Sequence, residues 1–227
     1  MILFPGDSEQ LFDFEENPPN SEQLQKDFIV TADSAWGEGY SWATLDPGSD
    51  HKSINFCGEL NTTTPKDGRT ARAGYVNIKS ASKFHAFGRK HYLDFEYYDA
   101  VTLRVRGDGR AYSFNIHLDE EIDISWMDLY MYPLYTRGGP YWQDVVIPFS
   151  KFILTHRGAI QDKQTPFDRE EVINFSITLA DRVNGPFNLE IAKVGLLKQN
   201  IPLLAAERTA YETYKMPHKL YLGSELT

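Results

Sequence analysis

A few short stretches of this chain hold residue types that could do chemistry. Arg106-Gly107-Asp108, within the run LRVRGDGRAYSFNI, has the form of a cell-adhesion tripeptide. Gly39-Tyr40-Ser41-Trp42-Ala43 loosely matches a nucleophile elbow, whose strand-to-helix turn exposes a serine for acyl transfer. Asp119, Glu120, Glu121 and Asp123 are the densest carboxylate cluster. Read as a solvated acidic loop they have no ligand; read as hard oxygen donors, Asp119, Glu121 and Asp123 are weak candidates for a structural calcium. The histidines at 51, 85, 91, 117, 156 and 218 fall at no zinc-ligand spacing, and neither H-E-x-x-H nor a cysteine pair is present. No P-loop or dinucleotide fingerprint occurs, so neither a cofactor nor a catalytic residue is nominated, and the chain reads as no enzyme. Trp36, Trp42, Trp126, Tyr141 and Trp142 could stack on sugar rings, although aromatic side chains in a β-rich chain serve more often as core or interface.

The elements that would position these residues are strands. Period-2 alternation recurs in FIVTAD, SINFCGEL, AGYVNIKS, VTLRVRG, YSFNIHL, WQDVVIPF, INFSITLA and FNLEIAKVGLL. Turn clusters separate them, among them Asp46-Pro47-Gly48-Ser49, Arg137-Gly138-Gly139-Pro140 and Val183-Asn184-Gly185-Pro186. About ten strands at this spacing predict an all-β sandwich or jelly roll. Helical patterning is confined to a turn around Pro19 to Gln25 and to PLLAAERTAYETYK, Pro202 to Lys215. The expected organisation is an N-terminal extension over 1–11, one sandwich domain over 12–199, and a C-terminal helical tail over 200–227. In FNLEIAKVGLL the apolar parity switches from odd to even numbers, which predicts a β-bulge near Ala192-Lys193. Pro148 suits an edge strand or a strand exit, since proline cannot donate to a ladder.

Composition narrows the function classes. The 227 residues carry a net charge of -9, a field that repels nucleic acid and anionic lipid, and no Lys/Arg run offsets it locally. No segment approaches the ~18 apolar residues of a membrane span. The single cysteine, Cys57, has no internal disulfide partner and reads as a buried thiol.

The adhesion tripeptide has a structural reading. If Asp108-Gly109 are the centre of a two-residue turn, Val105 faces Tyr112, Leu103 faces Phe114 and Val101 faces Ile116. Every pair is apolar, and Arg104, Asn115 and His117 converge on the polar face. Gly107, Asp108 and Gly109 are then turn residues rather than a ligand.

Three long motifs make the chain recognisable: LRVRGDGR, YTRGGPYWQDVVIPFSKF at Tyr135 to Phe152, and ITLADRVNGPFNLEIAKVG at Ile177 to Gly195. Together they resemble the complex I intermediate-associated protein 30 family, assembly factors of mitochondrial respiratory complex I, and the likeness extends from about Phe12 to Gln199. The resemblance implies a galactose-binding-domain-like jelly roll, similar to carbohydrate-binding modules, working as a non-catalytic chaperone. It implies early membrane-arm intermediates of complex I as partners, alongside ECSIT and an acyl-CoA-dehydrogenase-like factor. The place implied is the matrix side of the inner membrane, peripheral to it and without a transmembrane segment. A basic, amphipathic presequence is not found at the start of this chain.

The expected partner surface is the Arg137 to Trp142 loop with the Asp181 to Pro186 turn, where Arg137, Tyr141, Trp142 and Arg182 have the character of interface anchors. The alternative is a carbohydrate-binding module of a secreted protein, which would carry glycans at the sequons Asn61-Thr62-Thr63 and Asn174-Phe175-Ser176.

Overall fold

The computed structural model describes residues 8–119, 128–156 and 158–198. Within them the apolar alternation produces thirteen strands: β1 (Ser8–Asp13), β2 (Phe28–Ala32), β3 (Trp42–Pro47), β4 (Ile54–Leu60), β5 (Val76–Ser80), β6 (Ala100–Arg106), β7 (Ala111–Leu118), β8 (Asp128–Tyr135), β9 (Gln143–Pro148), β10 (Ile153–His156), β11 (Ala159–Ile160), β12 (Val172–Leu179) and β13 (Gly185–Leu197). One helix, α1 (Ser21–Asp27), follows Pro18-Pro19. The Asn20 side chain caps it by accepting from the Gln23 N–H at 2.8 Å, and Leu24 fastens it to the core. The calcium candidates Glu121 and Asp123, Trp126 and the expected helix at Pro202 to Lys215 lie outside the described residues.

The strands form two antiparallel sheets. One runs β3-β4-β13-β6-β9, with β1 also on β13; the other runs β11-β10-β8-β7-β12-β5-β2. β13 organises the first sheet. It pairs with β4 from Gly185 to Ile191 and with β6 from Glu190 to Leu197, and β1 takes over from β4 beside Lys193 to Leu197. The β13 register slips between Ile191 and Lys193, where the parity switch predicted a bulge. β9, which ends at Pro148, is an edge strand. Strand pairing begins at Ser8, ahead of the Phe12 boundary expected from sequence.

The inner faces of both sheets meet in a core rich in phenylalanine. Ring contacts run without a break from Phe28 through Phe12, Phe175, Phe114, Phe152, Phe167 and Phe149 to Phe95, with centroid separations between 4.9 and 6.2 Å. Each such pair adds about 0.5–1.5 kcal/mol beyond the area it buries. Most of the sequence's phenylalanines are therefore core.

The connection around Gly107 corrects the hairpin expectation. β6 lies between β13 and β9, whereas β7 lies between β8 and β12 in the other sheet. Residues 107–110 form an arch that crosses the sandwich. Four residues reach at most about 14 Å, enough to span sheets packed about 10 Å apart. The predicted inward residues are all buried: Val101, Leu103 and Val105 from one sheet, Tyr112, Phe114 and Ile116 from the other. They oppose each other across the core instead of lying side by side. Arg104 consequently sits on the outer face of one sheet, and Asn115 and His117 on the outer face of the other, so the three do not converge.

The outer face of the seven-stranded sheet carries a polar network. Asn115 Nδ2 donates to Ser176 Oγ (3.1 Å) and Thr178 Oγ1 (3.0 Å), Thr178 Oγ1 donates to Asn77 Oδ1 (2.9 Å), and His117 Nε2 lies 2.9 Å from Ser176 Oγ. Burial, and then the nearby Lys79 cation, push His117 down to about 3, so it is neutral in the folded state. An unfolded histidine takes up a proton near pH 6.5. Stability associated with His117 is thus fully present above about pH 6.5 and is lost as pH falls toward about 3. We predict that His117→Gln flattens the decline of chemical-denaturation stability between about pH 6 and pH 4 relative to the unmodified chain; an unchanged slope would contradict the buried neutral imidazole.

Candidate functional site

The loops after β2, β4, β6, β8 and β12 all emerge at one end of the sandwich, because the strands that feed them end there in register. This end collects residues 107–110, 136–142 and 180–184, which belong to the three motifs that stood out in the sequence.

Asp108 joins the two sheets. Its Oδ2 accepts the backbone N–H of Asn188 on β13 at 2.8 Å, and its carboxylate accepts the hydroxyl of Tyr112 on β7 at 3.2 and 3.3 Å. Burial, and then the Asp108 charge, raise the Tyr112 hydroxyl above the usual phenol range, so it remains a donor. Two residues on, Arg110 forms a bidentate pair with Asp181: Nε to Oδ2 at 2.9 Å and a terminal nitrogen to Oδ1 at 2.6 Å. The same guanidinium donates to the carbonyls of Val183, Gly185 and Pro186. Both partners of the pair are 11% exposed, and the planar fork of arginine is what allows one side chain to hold a whole turn.

Gly107 is required by its neighbour. A Cβ there would stand 2.3 Å from Thr136 Cβ. Thr136 Oγ1 itself accepts the Gly109 N–H (3.0 Å) and donates to the Arg110 carbonyl (2.9 Å), which clamps the arch to the loop after β8. Gly109, at φ 92°, takes the left-handed conformation.

A fully buried carboxylate, Asp33, orders the rest of this end. Asp33 accepts the Ser41 N–H (2.8 Å), the Ser41 hydroxyl (3.1 Å) and the Gly74 N–H (2.6 Å). Ser41 is fully buried, so the nucleophile-elbow resemblance dissolves into a loop clasp. Asn184 then accepts the N–H and hydroxyl of Thr62, linking the β12–β13 turn to the loop after β4.

Both charges of the adhesion tripeptide are engaged within the chain, Asp108 as described above while remaining exposed. Arg106 pairs with Glu190 on the outer face of the six-stranded sheet (2.6 and 3.1 Å), and its guanidinium lies 4.7 Å from the ring of Trp142. Arg104 lies 5.7 Å from the same ring and donates to Asp144 at 2.9 and 3.1 Å. Its Nε is 3.0 Å from Glu15 without the angle of a hydrogen bond, so that contact is one of charge proximity.

Of the expected anchors, Trp142 is therefore half-buried as a lid over two arginines. Arg137 and Arg182 are exposed, Arg182 at φ 64°, and Tyr141 is 79% exposed. Trp36, Tyr40, Trp42 and Val183 are exposed at the same end. Asp119 accepts from Lys90 and Tyr92. Among the described residues no cluster of three or more metal-ligating side chains occurs. Cys57 is half-buried on an outer sheet face beside Thr44, not in the core. Sequence reasoning gave no role to Arg110, Asp181 or Asp33, whose only signal was a charge at the mouth of a turn.

The model of the family described as complex I intermediate-associated protein 30 matches residues 12–191, which include the Asp108–Arg110–Asp181 network. The chain belongs to that family. It is 38% identical over 219 residues to the fruit-fly protein named complex I intermediate-associated protein 30, mitochondrial, covering 96% of this chain and 71% of that one. It is 40% identical over 189 residues to a probable counterpart from Caenorhabditis elegans and 39% identical over 175 residues to the mouse protein. It spans about half the length of those two relatives, 54% and 53%. Among solved structures, the family 11 carbohydrate-binding module of the cellulosomal cellulase Lic26A-Cel5E of Clostridium thermocellum superposes with a TM-score of 0.56 at 15% identity, over 86% of this chain and 97% of the module. The same family's module in complex with a mixed-linked tetrasaccharide gives 0.55. At that identity the likeness is one of fold: an all-β, two-sheet antiparallel sandwich.

Breaking the buried pair from one side should cost about 3–5 kcal/mol. Arg110→Ala is expected to lower the melting temperature by about 10 °C, and Arg110→Lys, which keeps the charge but not the fork, to recover only part of that. Gly107→Ala should also destabilise, through the clash with Thr136. Differential scanning calorimetry of the three variants checks both statements, and a melting temperature unchanged in Arg110→Ala would contradict the role given to the pair.

Proposed function

We propose that this chain is a non-catalytic assembly factor for mitochondrial respiratory complex I that holds early membrane-arm intermediates, with ECSIT and an acyl-CoA-dehydrogenase-like factor as fellow assembly partners. Its place on this reading is the matrix side of the inner membrane. Support comes from the family and from the names of the fly and mouse relatives, which are mitochondrial. Among the described residues no helix is long and apolar enough to cross a membrane, in keeping with peripheral attachment.

The observation that carries the reading is how the polar groups at the loop end are used. Asp33, Ser41, Asp108, Arg110 and Asp181 are consumed in tying loops together, so what faces outward is a pre-organised set of aromatic, aliphatic and guanidinium groups: Trp36, Tyr40, Tyr141, Val183, Arg137 and Arg182. Aromatic and arginine side chains on a rigid frame are what protein interfaces select, because little entropy is lost when they dock.

The carbohydrate-binding alternative loses one of its supports. Asn174 of the second sequon is 1% exposed within β12 and donates to Ser82 (2.9 Å), out of reach of a glycan in the folded chain.

Arg137→Ala combined with Tyr141→Ala should weaken capture of complex I membrane-arm subunits at least about tenfold in a native pull-down from mitochondria, with the melting temperature unchanged. Trp142→Ala is the contrasting variant: it uncovers Arg104 and Arg106 and should lower stability as well. Full recovery of partners by the Arg137/Tyr141 variant would refute this surface.

A further inference from the structure

The opposite end of the sandwich carries a finger. After β5 the chain rises into a small hairpin: Phe84 bridges to Lys90, the His85 N–H donates to the Arg89 carbonyl (2.7 Å), and the His91 N–H donates to the Lys83 carbonyl (2.9 Å). Every residue from 82 to 90 is exposed, so the hairpin projects away from the body. At its apex stands Phe87, 99% exposed, and Phe84 below it is 63% exposed.

Phe87 sits at φ 64°, ψ 25°, the left-handed region, beside Gly88 at φ 71°. A bulky side chain is disfavoured there, and glycine would adopt the same backbone without strain. The folded chain gains nothing from this phenylalanine: it packs on no neighbour, leaves apolar surface in water and strains the backbone that displays it. Strain combined with full exposure marks a group held for another environment.

The charge around the apex specifies that environment. From Ala81 to Leu93 there is no Asp or Glu, while Lys83, Arg89 and Lys90 occur with two histidines, in a chain whose net charge is -9. Lys90 is occupied by Asp119; Lys83 and Arg89 form no ion pair with a described carboxylate, Lys83 lying 6.0 Å from the Phe12 ring. Alternation along the finger places Lys83, His85, Arg89 and His91 on one side, where the two imidazoles stack with centroids 4.7 Å apart.

We propose that this hairpin is a docking finger for an anionic lipid bilayer, with Phe87 entering the acyl boundary and Lys83 and Arg89 meeting headgroup phosphates. A protein partner is disfavoured by size: nine residues offer far less than the 20–30 residues a side of a stable interface. A bilayer asks for little area, since an aromatic wedge reaching about 5–10 Å deep plus a few cations supplies reversible attachment. The inference stands apart from the partner surface at the other end, and the two are read by different measurements.

The test is flotation of the full chain with vesicles of phosphatidylcholine alone and of phosphatidylcholine with phosphatidylglycerol. Binding is expected only to the anionic vesicles and should weaken with salt. Lys83→Glu with Arg89→Glu should abolish it. Phe87→Trp should show blue-shifted emission on anionic vesicles alone. The decisive variant is Phe87→Gly, which relieves the left-handed strain: it should keep or raise the melting temperature while lowering vesicle partition about tenfold. Failure of the unmodified chain to float with anionic vesicles, equal flotation of Phe87→Gly, or loss of a protein partner by the finger variants with vesicle binding intact would each overturn the proposal.

Discussion

The arch from Gly107 to Arg110 is the constraint on which the loop end depends. It takes the chain from one sheet to the other in four residues, and its two charged side chains are spent on that task. Asp108 bonds to a backbone N–H in the six-stranded sheet and to a tyrosine hydroxyl in the other. Arg110 grips Asp181 and three carbonyls of the β12–β13 turn. A buried guanidinium is costly unless its donors are used, and here all three nitrogens are engaged, so the turn is held in the one shape that satisfies them. Gly107 follows from the same geometry, since Thr136 fills the space its Cβ would need.

Around that clamp the molecule is polarised. The phenylalanine spine fills the centre and leaves little aromatic surface over for the sheet faces, which instead carry ion pairs on one side and a neutral polar network on the other. Exposed aromatics gather at the two ends. At the loop end they sit on a frame of hydrogen-bonded carboxylates and lie beside Arg137 and Arg182; at the far end Phe84 and Phe87 rise on a finger with the cations Lys83 and Arg89. On the two proposals above, assembly partners would be taken at the loop end and anionic lipid met at the other.

Much of the fold could be read from residue order. The strands from VTLRVRG and YSFNIHL, the bulge in FNLEIAKVGLL and the edge position of Pro148 all follow from alternation and from what proline and parity shifts do to a ladder. The partner of each strand could not be read so. A hairpin and an arch at Gly107 bury the same set, Val101, Leu103, Val105, Tyr112, Phe114 and Ile116, because parity tells which side of a strand is inward and says nothing of which strand lies beside it. That ambiguity is also why Arg104, Asn115 and His117 were expected together and lie on opposite outer faces.

The candidate site divides along the same line. Tyr141, Arg137 and Arg182 were visible as anchor types in turn-rich motifs, and they are exposed. Trp142 had the same type but a different fate, because the neighbouring strand offered two guanidinium groups for it to cover. Arg110, Asp181 and Asp33 could not be singled out, since a charge at the mouth of a turn is ordinary until its partner, up to 71 residues away, is brought within 3 Å. By itself, then, the sequence determined the inward face of the strands, the breaks between them and, through three long motifs, the family. Only the tertiary structure decided which charges are buried and paired, which aromatics are left over, and that Phe87 stands alone at an apex, because these depend on distances between residues that alternation along a single strand does not encode.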